Sequence, residues 1–325
     1  MTEMLVIANE GLLRLSERAS GWTTGVLRST RSAQCAAVDP LDQRTLYLGT
    51  RADGAWKSAD AGRSWSRLAV PSNDVFSLAV SVSDGSVYAG CEPSRLFVSR
   101  DAGERWRELQ ALVQLPSAPT WSFPPRPWTS HVRAIAPHPR HAGVLLVGIE
   151  LGGLMLSEDG GETWHDHRPG AQRDVHAVAW HPHGDDRAYQ AGGGGAARSV
   201  DRGRSFLSAD AGRERSYCWG LAVDEAEADT WYVSASPGPR AAHDDGEADA
   251  GVYRWRGDGP WELLAGGLPR PLHDMPYALV AHDARLFVGL RSGRILVSDD
   301  HGDRWEELRL SAASLAGLRT LLPAR

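Results

Sequence analysis

Short apolar segments with period-two alternation recur along the chain, separated by polar turns that contain glycine. The first clear set is CAAVDP, TLYLGT, GAWKS and SWSRL, within residues 35–68. Alternation over runs this short is typical of β-strands and not of helices. Later segments repeat the order, for example RAIAPHP, VLLVGIE, GLMLS and TWHDH. The pattern therefore predicts units of four strands.

The turn before the fourth strand has a fixed pattern, Ser-x-Asp-x-Gly-x-x-aromatic. Its five copies are SADAGRSW (58–65), SRDAGERW (99–106), SEDGGETW (157–164), SVDRGRSF (199–206) and SDDHGDRW (298–305). A catalytic motif has no reason to occur five times in one chain, whereas a building block does. Two further units, at 15–22 and 255–261, keep only the closing aromatic residue.

The closing aromatic residues number the units. They are Trp22, Trp65, Trp106, Trp164, Phe206, Trp261 and Trp305. Apart from insertions at 110–130 and 236–250, they recur at intervals of about 42 residues, the length of a four-stranded propeller blade. Residues 4–27 supply three strands, and 317–323 supply a lone first strand. We therefore predict an all-β, seven-bladed β-propeller in which the C-terminal strand joins the N-terminal strands, as a single domain over residues 1–325.

The octets resemble Asp-boxes, also called BNR repeats, which occur in sialidase-like propellers, sortilin-type receptors and photosystem II assembly factors. The segments TWSFPPRPWTSHVRAIAPHP, VGIELGGLMLSEDGGETW and YVSASPGPRAAH also resemble bacterial BNR-like repeat proteins that are often labelled glycosyl hydrolases. The resemblance implies the propeller fold. It does not select one activity, because this fold is used by glycosidases, lyases, receptors and scaffolds.

We interpret the octets as structural turns. The Asp and Ser oxygens are expected to accept backbone N–H groups, glycine to supply an unusual backbone conformation, and the aromatic residue to pack against its own blade. The structural aspartates on this interpretation are Asp60, Asp101, Asp159, Asp201 and Asp300.

Composition and charge exclude several classes of function. The net charge is −6 with no run of Lys and Arg, which argues against binding to nucleic acid. No apolar run is long enough to cross a membrane, and no signal peptide is recognisable at the N-terminus. Three cysteines form no disulfide framework and fit a reducing compartment, so we expect a cytoplasmic protein.

The two insertions and the starts of the first strands share one face of the propeller, opposite the octets. Aligned repeats place seven residues, here called the front row, around the central axis: Gln34, Phe76, Arg133, His176, Trp219, Tyr277 and Arg319. A back row lies two residues earlier and includes Asp74, His131, Asp174 and Tyr217. We predict that Gln34, His131, Arg133, His176, Trp219, Tyr277 and Arg319 bind ligand.

Other residues at this mouth are candidates for catalysis. Glu92, Glu150, Asp174, Tyr217 and Tyr277 are the candidates, as paired carboxylates or as the Tyr–Glu pair of sialidase-like chemistry. The absence of the Arg-Ile-Pro run of sialidases argues against that activity. His131 and His176 with Glu150 or Asp174 have metal-ligand chemistry, but they lie on different blades. We expect hydrogen-bonded histidines there, and no metal or cofactor.

Two other segments carry expectations. The glycine run at 191–197 lacks the ending of a phosphate loop and is interpreted as a tight bend beside the mouth. The acidic segment 243–250 is expected to be a solvated, mobile loop tip.

Three functions remain open. The first is binding of a small polar, anionic ligand at the mouth. The second is a glycoside hydrolase or lyase that uses the same residues on a sugar-like substrate. The third is a scaffold that binds a protein partner on the rim.

Overall fold

A computed structural model describes residues 1–184, 186–227, 229–311 and 314–324. Seven small antiparallel sheets form a seven-bladed β-propeller, as predicted. Blades 1 to 3 contain β4 (Ala33–Val38), β5 (Leu46–Thr50), β6 (Ala55–Ser58) and β7 (Ser66–Arg67); β8 (Val75–Val80), β9 (Val87–Cys91), β10 (Leu96–Ser99) and β11 (Arg107–Glu108); and β12 (Val132–Pro137), β13 (Leu145–Ile149) and β14 (Gly153–Ser157).

Blades 4 to 6 have four strands each. They contain β15 (Val175–Trp180), β16 (Ala188–Gly192), β17 (Gly195–Ser199) and β18 (Leu207–Ser208); β19 (Tyr217–Val223), β20 (Thr230–Ser236), β21 (Gly251–Arg256) and β22 (Glu262–Leu263); and β23 (Pro276–His282), β24 (Arg285–Leu290), β25 (Ile295–Ser298) and β26 (Glu306–Glu307).

Blade 7 joins the two ends of the chain. It contains β28 (Thr320–Pro323), β1 (Glu3–Ala8), β2 (Gly11–Arg18) and β3 (Gly21–Ser29), with β27 (Leu310–Ser311) parallel to β3. Strand β28 pairs with β1 in the register Met4↔Pro323 to Ile7↔Thr320. The closing strand therefore satisfies the inner edge of β1, which would otherwise expose its backbone groups.

Burial follows the position of each strand in its blade. The second strands β5, β9, β13 and β16 are buried at every residue, because neighbouring blades cover both faces of each sheet. The outer strands β7 and β18 are exposed. The first strands are only partly buried, because one side faces the central channel.

The five octets form the same hydrogen-bonded turn. In each, the Ser hydroxyl donates to the Asp carboxylate at 2.8–2.9 Å. The carboxylate also accepts the backbone N–H of the residue four positions later. The Ser hydroxyl accepts the N–H of the glycine. The Ser and Asp oxygens thus accept backbone groups of the turn, as expected.

The turns also connect neighbouring blades. A side chain at Gly62 would lie 3.0 Å from Leu27, and one at Gly161 would lie 2.5 Å from Leu109. Both leucines come from the preceding blade. The closing aromatic Phe206 likewise packs in a cluster that contains Leu146 of blade 3. The expectation that the aromatic packs against its own blade is therefore incomplete, because these residues fill the space between two blades.

Both insertions are ordered structures on the mouth face. Between β11 and β12, the chain forms two 3₁₀ turns, Gln110–Gln114 and Ala118–Thr120. Between β20 and β21 it forms helix α1 (Pro239–His243). In the segment expected to be a solvated loop tip, residues 243–247 are exposed. Ala248 and Ala250 are buried, so that prediction is wrong for the C-terminal end of 243–250. None of the described helices is long and apolar enough to span a membrane.

Candidate ligand-binding cavity

A cavity of about 690 Å³ opens at the mouth of the central channel. All seven residues of the front row line it: Gln34, Phe76, Arg133, His176, Trp219, Tyr277 and Arg319. The repeat alignment therefore located the wall of the cavity correctly.

A β-bulge places most of the front row. The pairing of each first strand with its neighbour shifts register in blades 1 to 6, for example between Val132 and Ala134 and between Val175 and Ala177. The unpaired residues at these two shifts are Arg133 and His176. The same shift occurs at Gln34, Phe76, Trp219 and Tyr277. A bulge re-aims a side chain, so six blades direct their front-row residue into the cavity by one device.

Three arginines line the cavity wall, and one of them, Arg291, pairs with Asp245 at 2.9 Å. Arg133, Arg291 and Arg319 line it, and no described Asp or Glu residue does. Arg319 donates a hydrogen bond to the Ala33 carbonyl at 3.0 Å. Among the residues that the structure describes, none forms an ion pair with Arg319. Partial burial of the guanidinium lowers the pKa of Arg319, and the positive charge of Arg51 lowers it further.

Arg133 lies against two aromatic rings. Its guanidinium carbon lies 4.5 Å from the Trp219 ring centroid and 5.6 Å from that of Phe76. Its Nη1 atom is 3.6 Å from the Glu150 carboxylate. The aromatic contacts and the ion pair together fix the orientation of the guanidinium.

His176 is oriented by a backbone carbonyl. Its Nδ1 atom lies 2.6 Å from the Cys218 carbonyl oxygen, which can only accept, so Nδ1 carries a proton. The ring packs against Trp219 and Tyr217 at centroid distances of 4.4 and 4.8 Å. The Nε2 atom points to Asp174, with 3.5 Å between Nε2 and Oδ1.

His131 does not line the cavity, contrary to its prediction as a ligand-binding residue. Its ring is fully buried between Phe76, at a centroid distance of 3.7 Å, and Phe123. Burial lowers the pKa of His131, although the hydrogen bond to Glu150 opposes the shift. Its Nε2 atom lies 2.8 Å from Glu150. His131 therefore supports the wall from behind.

The proposed catalytic carboxylates also lie behind the wall. Burial disfavours the charge of Glu150, but the His131 hydrogen bond and the Arg133 charge outweigh it and lower the pKa of Glu150 to about 2. Glu92 accepts a hydrogen bond from Arg126 at 2.6 Å and lies 3.6 Å from Arg51. Neither carboxylate belongs to the cavity wall.

Of the other catalytic candidates, only Tyr277 lines the cavity. Asp174 and Tyr217 lie behind it, and Tyr217 is 5% exposed. Burial raises the pKa of both Tyr217 and Tyr277. Both hydroxyls therefore remain protonated at neutral pH, whereas a tyrosine nucleophile must lose its proton.

Helix α1 brings His243 into the cavity, which the sequence interpretation missed. The Tyr277 hydroxyl donates to the Ala242 carbonyl and accepts from His243 Nδ1 at 2.8 Å. The Tyr217 hydroxyl donates to His243 Nε2 at 3.1 Å. Burial lowers the pKa of His243, and the nearby His176 adds to the shift. Asn9 and Arg291 also line the cavity, and Arg291 donates to the His243 carbonyl.

One group of residues has the composition of a metal site. Glu150, Asp174 and His176 each place a ligand atom within 4.8 Å of those of the other two. They lie on blades 3 and 4, and of the three only His176 lines the cavity.

No family model matches the chain, and no curated protein matches it. Solved structures of similar fold include the GH74 enzyme of Niastella koreensis, with a TM-score of 0.72, 15% identity, and coverage of 94% of this chain and 51% of that enzyme. The GH74 xyloglucanase of Xanthomonas campestris has a TM-score of 0.63 at 15% identity, covering 86% of this chain and 45% of the enzyme. The chain thus spans about half the length of these enzymes.

A third similar structure is YCF48 from Cyanidioschyzon merolae, with a TM-score of 0.60 and 13% identity, covering 85% of this chain and 84% of that protein. A YCF48 bound to a D1 peptide is also similar. Glycoside hydrolases and a peptide-binding propeller thus share the fold of this chain. At these identities the similarity shows the fold alone.

Proposed function

We propose that the cavity binds a small anionic ligand that contains a ring. The proposal rests on the kind of charged residue that lines the cavity. Three arginines line the cavity and no described carboxylate does, in a chain whose net charge is −6. A cationic wall in an acidic protein attracts anions selectively. The cavity volume lies within the range of small-molecule sites, about 300–1,000 Å³.

Arg319 is the principal anion contact on this proposal. Its guanidinium forms no ion pair with a described residue, so a ligand carboxylate or phosphate does not have to displace an internal partner. Charge-assisted hydrogen bonds of this kind are about twice as strong as neutral ones. Gln34, on the adjacent blade, adds an amide to the same wall.

Aromatic residues supply the second part of the site. Trp219 of blade 5 and Tyr277 of blade 6 line the wall, and their ring centroids are 5.2 Å apart. Flat apolar faces of this type stack on sugar or aromatic rings. The combination favours a ligand that carries both a charged group and a ring.

Ligand-induced thermal shifts test the proposal with three matched probes: glucose 6-phosphate, glucuronate and neutral glucose. We expect at least one charged probe to raise the melting temperature and glucose to do so less. Arg319→Gln should abolish the shift, and the exposed control Arg309→Gln should retain it. The same shift in Arg319→Gln as in the parent protein would refute the role of Arg319, and no shift with either anion would refute this ligand class.

The structural similarity to GH74 enzymes suggests a glycoside hydrolase or lyase as the alternative. It requires a carboxylate that can reach substrate, and both Glu92 and Glu150 are held by arginine or histidine behind the wall. We therefore rank it below ligand binding. Incubation with xyloglucan should release no reducing ends, and release that is lost in Glu150→Gln would restore this alternative.

The scaffold alternative has one supporting feature. Trp128, in the insertion between blades 2 and 3, is 80% exposed on the mouth face. A large exposed aromatic residue is typical of an interface. YCF48 bound to a D1 peptide provides the analogy for a peptide partner on this face.

We also infer the nature of the repeats. The five hydrogen-bonded turns match the Asp-box pattern, which supports a BNR propeller of the sialidase-like superfamily. The three cysteines are free, which supports a reducing, cytoplasmic location. Blade 7 contains both ends of the chain, which supports a single domain over residues 1–325.

A further inference from the structure

We propose that Glu150, Asp174 and His176 bind one divalent transition-metal ion of the zinc type at the wall of the cavity. The proposal departs from the sequence prediction, which expected hydrogen-bonded histidines and no metal. It stands apart from anion binding, because it depends on Asp174 and Glu150, neither of which lines the cavity.

The first argument is a pair of buried acceptors without partners. The Nδ1 proton of His176 is used by the Cys218 carbonyl, so Nε2 presents a bare lone pair. Within the described part of the chain, neither His176 Nε2 nor Asp174 Oδ1 has a hydrogen-bond partner. The His176 side chain is fully buried. Two unpaired acceptors that face each other are unfavourable unless a cation lies between them.

The second argument is the distance between these atoms. Zinc binds imidazole nitrogen and carboxylate oxygen at about 2.0–2.2 Å, so two ligands at a tetrahedral angle are about 3.4 Å apart. The observed separation of His176 Nε2 and Asp174 Oδ1 is 3.5 Å. A proton shared by the two groups would bring them to about 2.7–2.9 Å. The geometry therefore favours a metal ion over a shared proton.

The third argument is the space made for Asp174. A side chain at Gly193 would come within 2.0 Å of Asp174 Oδ2, and one at Gly192 would approach the Asp174 carbonyl to 2.3 Å. The glycine run at 191–197 therefore does more than form a bend. It lets the backbone of blade 4 pack against the carboxylate and leaves its Oδ1 atom directed at His176.

Glu150 completes the set. Its carboxylate lies within 4.8 Å of the ligand atoms of Asp174 and His176, and Arg133 Nη1 lies 3.6 Å from it. The side chain must move by roughly an ångström to reach a shared ion at zinc distances. His176 lines the cavity, so the ion would lie next to the cavity wall.

Zinc titration of chelator-treated protein tests the proposal. Calorimetry should show one equivalent of Zn²⁺, and Co²⁺ should give the absorption of a four-coordinate nitrogen and oxygen site. His176→Gln and Asp174→Asn should each weaken zinc binding by roughly 100-fold or more, since each removes a direct ligand. The matched control His273→Gln, at an exposed histidine, should bind as the parent protein does.

Gly193→Ala provides a test that leaves all three ligands in place. It should weaken zinc binding by displacing Asp174, while the melting temperature of the metal-free protein reports any general loss of folding. Absence of stoichiometric zinc, or zinc that persists unchanged in His176→Gln and Asp174→Asn, would overturn the proposal. The anion experiment is run in the presence of chelator, so failure of one proposal is distinguishable from failure of the other.

Discussion

The front and back rows of the mouth lie two residues apart along the same strands, yet they differ in charge and exposure. The front row lines the cavity with arginine, histidine, amide and aromatic side chains. The back row and the adjacent glutamates hold the negative charge in buried contacts, as in the pairing of His131 with Glu150. Carboxylates thus orient the wall without facing the ligand space.

This separation explains how a cationic wall is tolerated. The positive charge of Arg133 is balanced by Glu150, because Nη1 of Arg133 lies 3.6 Å from the Glu150 carboxylate. Arg319 has no such support and is instead exposed to the cavity. Two arginines in equivalent repeat positions therefore have different roles. Arg133 is part of a charge network, and Arg319 is available to a ligand.

Glu150→Ala should have the largest effect, because it removes the acceptor of His131 and the partner of Arg133. Breaking a buried ion pair from one side costs about 3–5 kcal/mol of unfolding free energy. Denaturant unfolding measures this value. The control Glu158→Ala removes an exposed pair with Arg204 and should cost less than about 1 kcal/mol. Equal losses of unfolding free energy in the two variants would mean that Glu150 contributes no more to stability than an exposed glutamate does.

Acidification should reveal the same network. The pKa of Glu150 falls from its ordinary value of 4.5 to about 2 on folding. A lowered carboxyl pKa stabilises the protein above the unfolded value, so this contribution of about 3 kcal/mol is lost as pH falls from about 4.5 to about 2. The unfolding free energies of the parent protein and Glu150→Gln should therefore converge in this window. A pH-independent difference would contradict the assignment.

Asp159→Ala tests the opposite face and should have a smaller effect. It removes three hydrogen bonds within the turn, from Ser157 and from the N–H and hydroxyl of Thr163. We expect a loss of about 1–2 kcal/mol of stability, because charged acceptors in turns contribute this much. Ligand and zinc affinity should not change. Weakened ligand binding with full stability would show that this turn belongs to a functional site.

Arg319→Gln should have the smallest effect on stability. It removes a charge without an ion pair to any described residue, so the unfolding free energy should stay within about 0.5 kcal/mol or rise, as is common when a functional residue is replaced. Comparison with Arg133→Gln sharpens the contrast, since that change also leaves Glu150 with one partner fewer. A large loss of stability in Arg319→Gln would make the two arginines equivalent.

The repeat explains why the front row could be predicted from sequence. Seven aligned units define one register, and the register of a strand determines which of its side chains lie on each face. The same logic failed for His131 and Tyr217. Residues two apart normally share a face, but the bulges at Arg133 and Trp219 interrupt the alternation. The sequence carries no clear signal for such a bulge.

Contacts between distant segments could not be predicted from the sequence, for a different reason. His243 reaches the cavity because helix α1 folds back over Tyr277, and nothing local in PGPRAAH specifies that direction. Gly193 lies close to the Asp174 carboxylate although the two residues are on different segments of blade 4, and only the tertiary structure shows this contact. Local patterns predicted strands and turns, whereas side chains gathered from several blades required the tertiary structure.

The pairing of β1 with β28 has a consequence for the order of events during synthesis. The ribosome makes β1 more than 300 residues before its inner neighbour at Thr320–Pro323. Until β28 has been made, the inner edge of β1 has no native partner, and nascent edges of this kind are prone to wrong pairing. The ring of seven blades can therefore close only after the segment that contains β28 has left the ribosome.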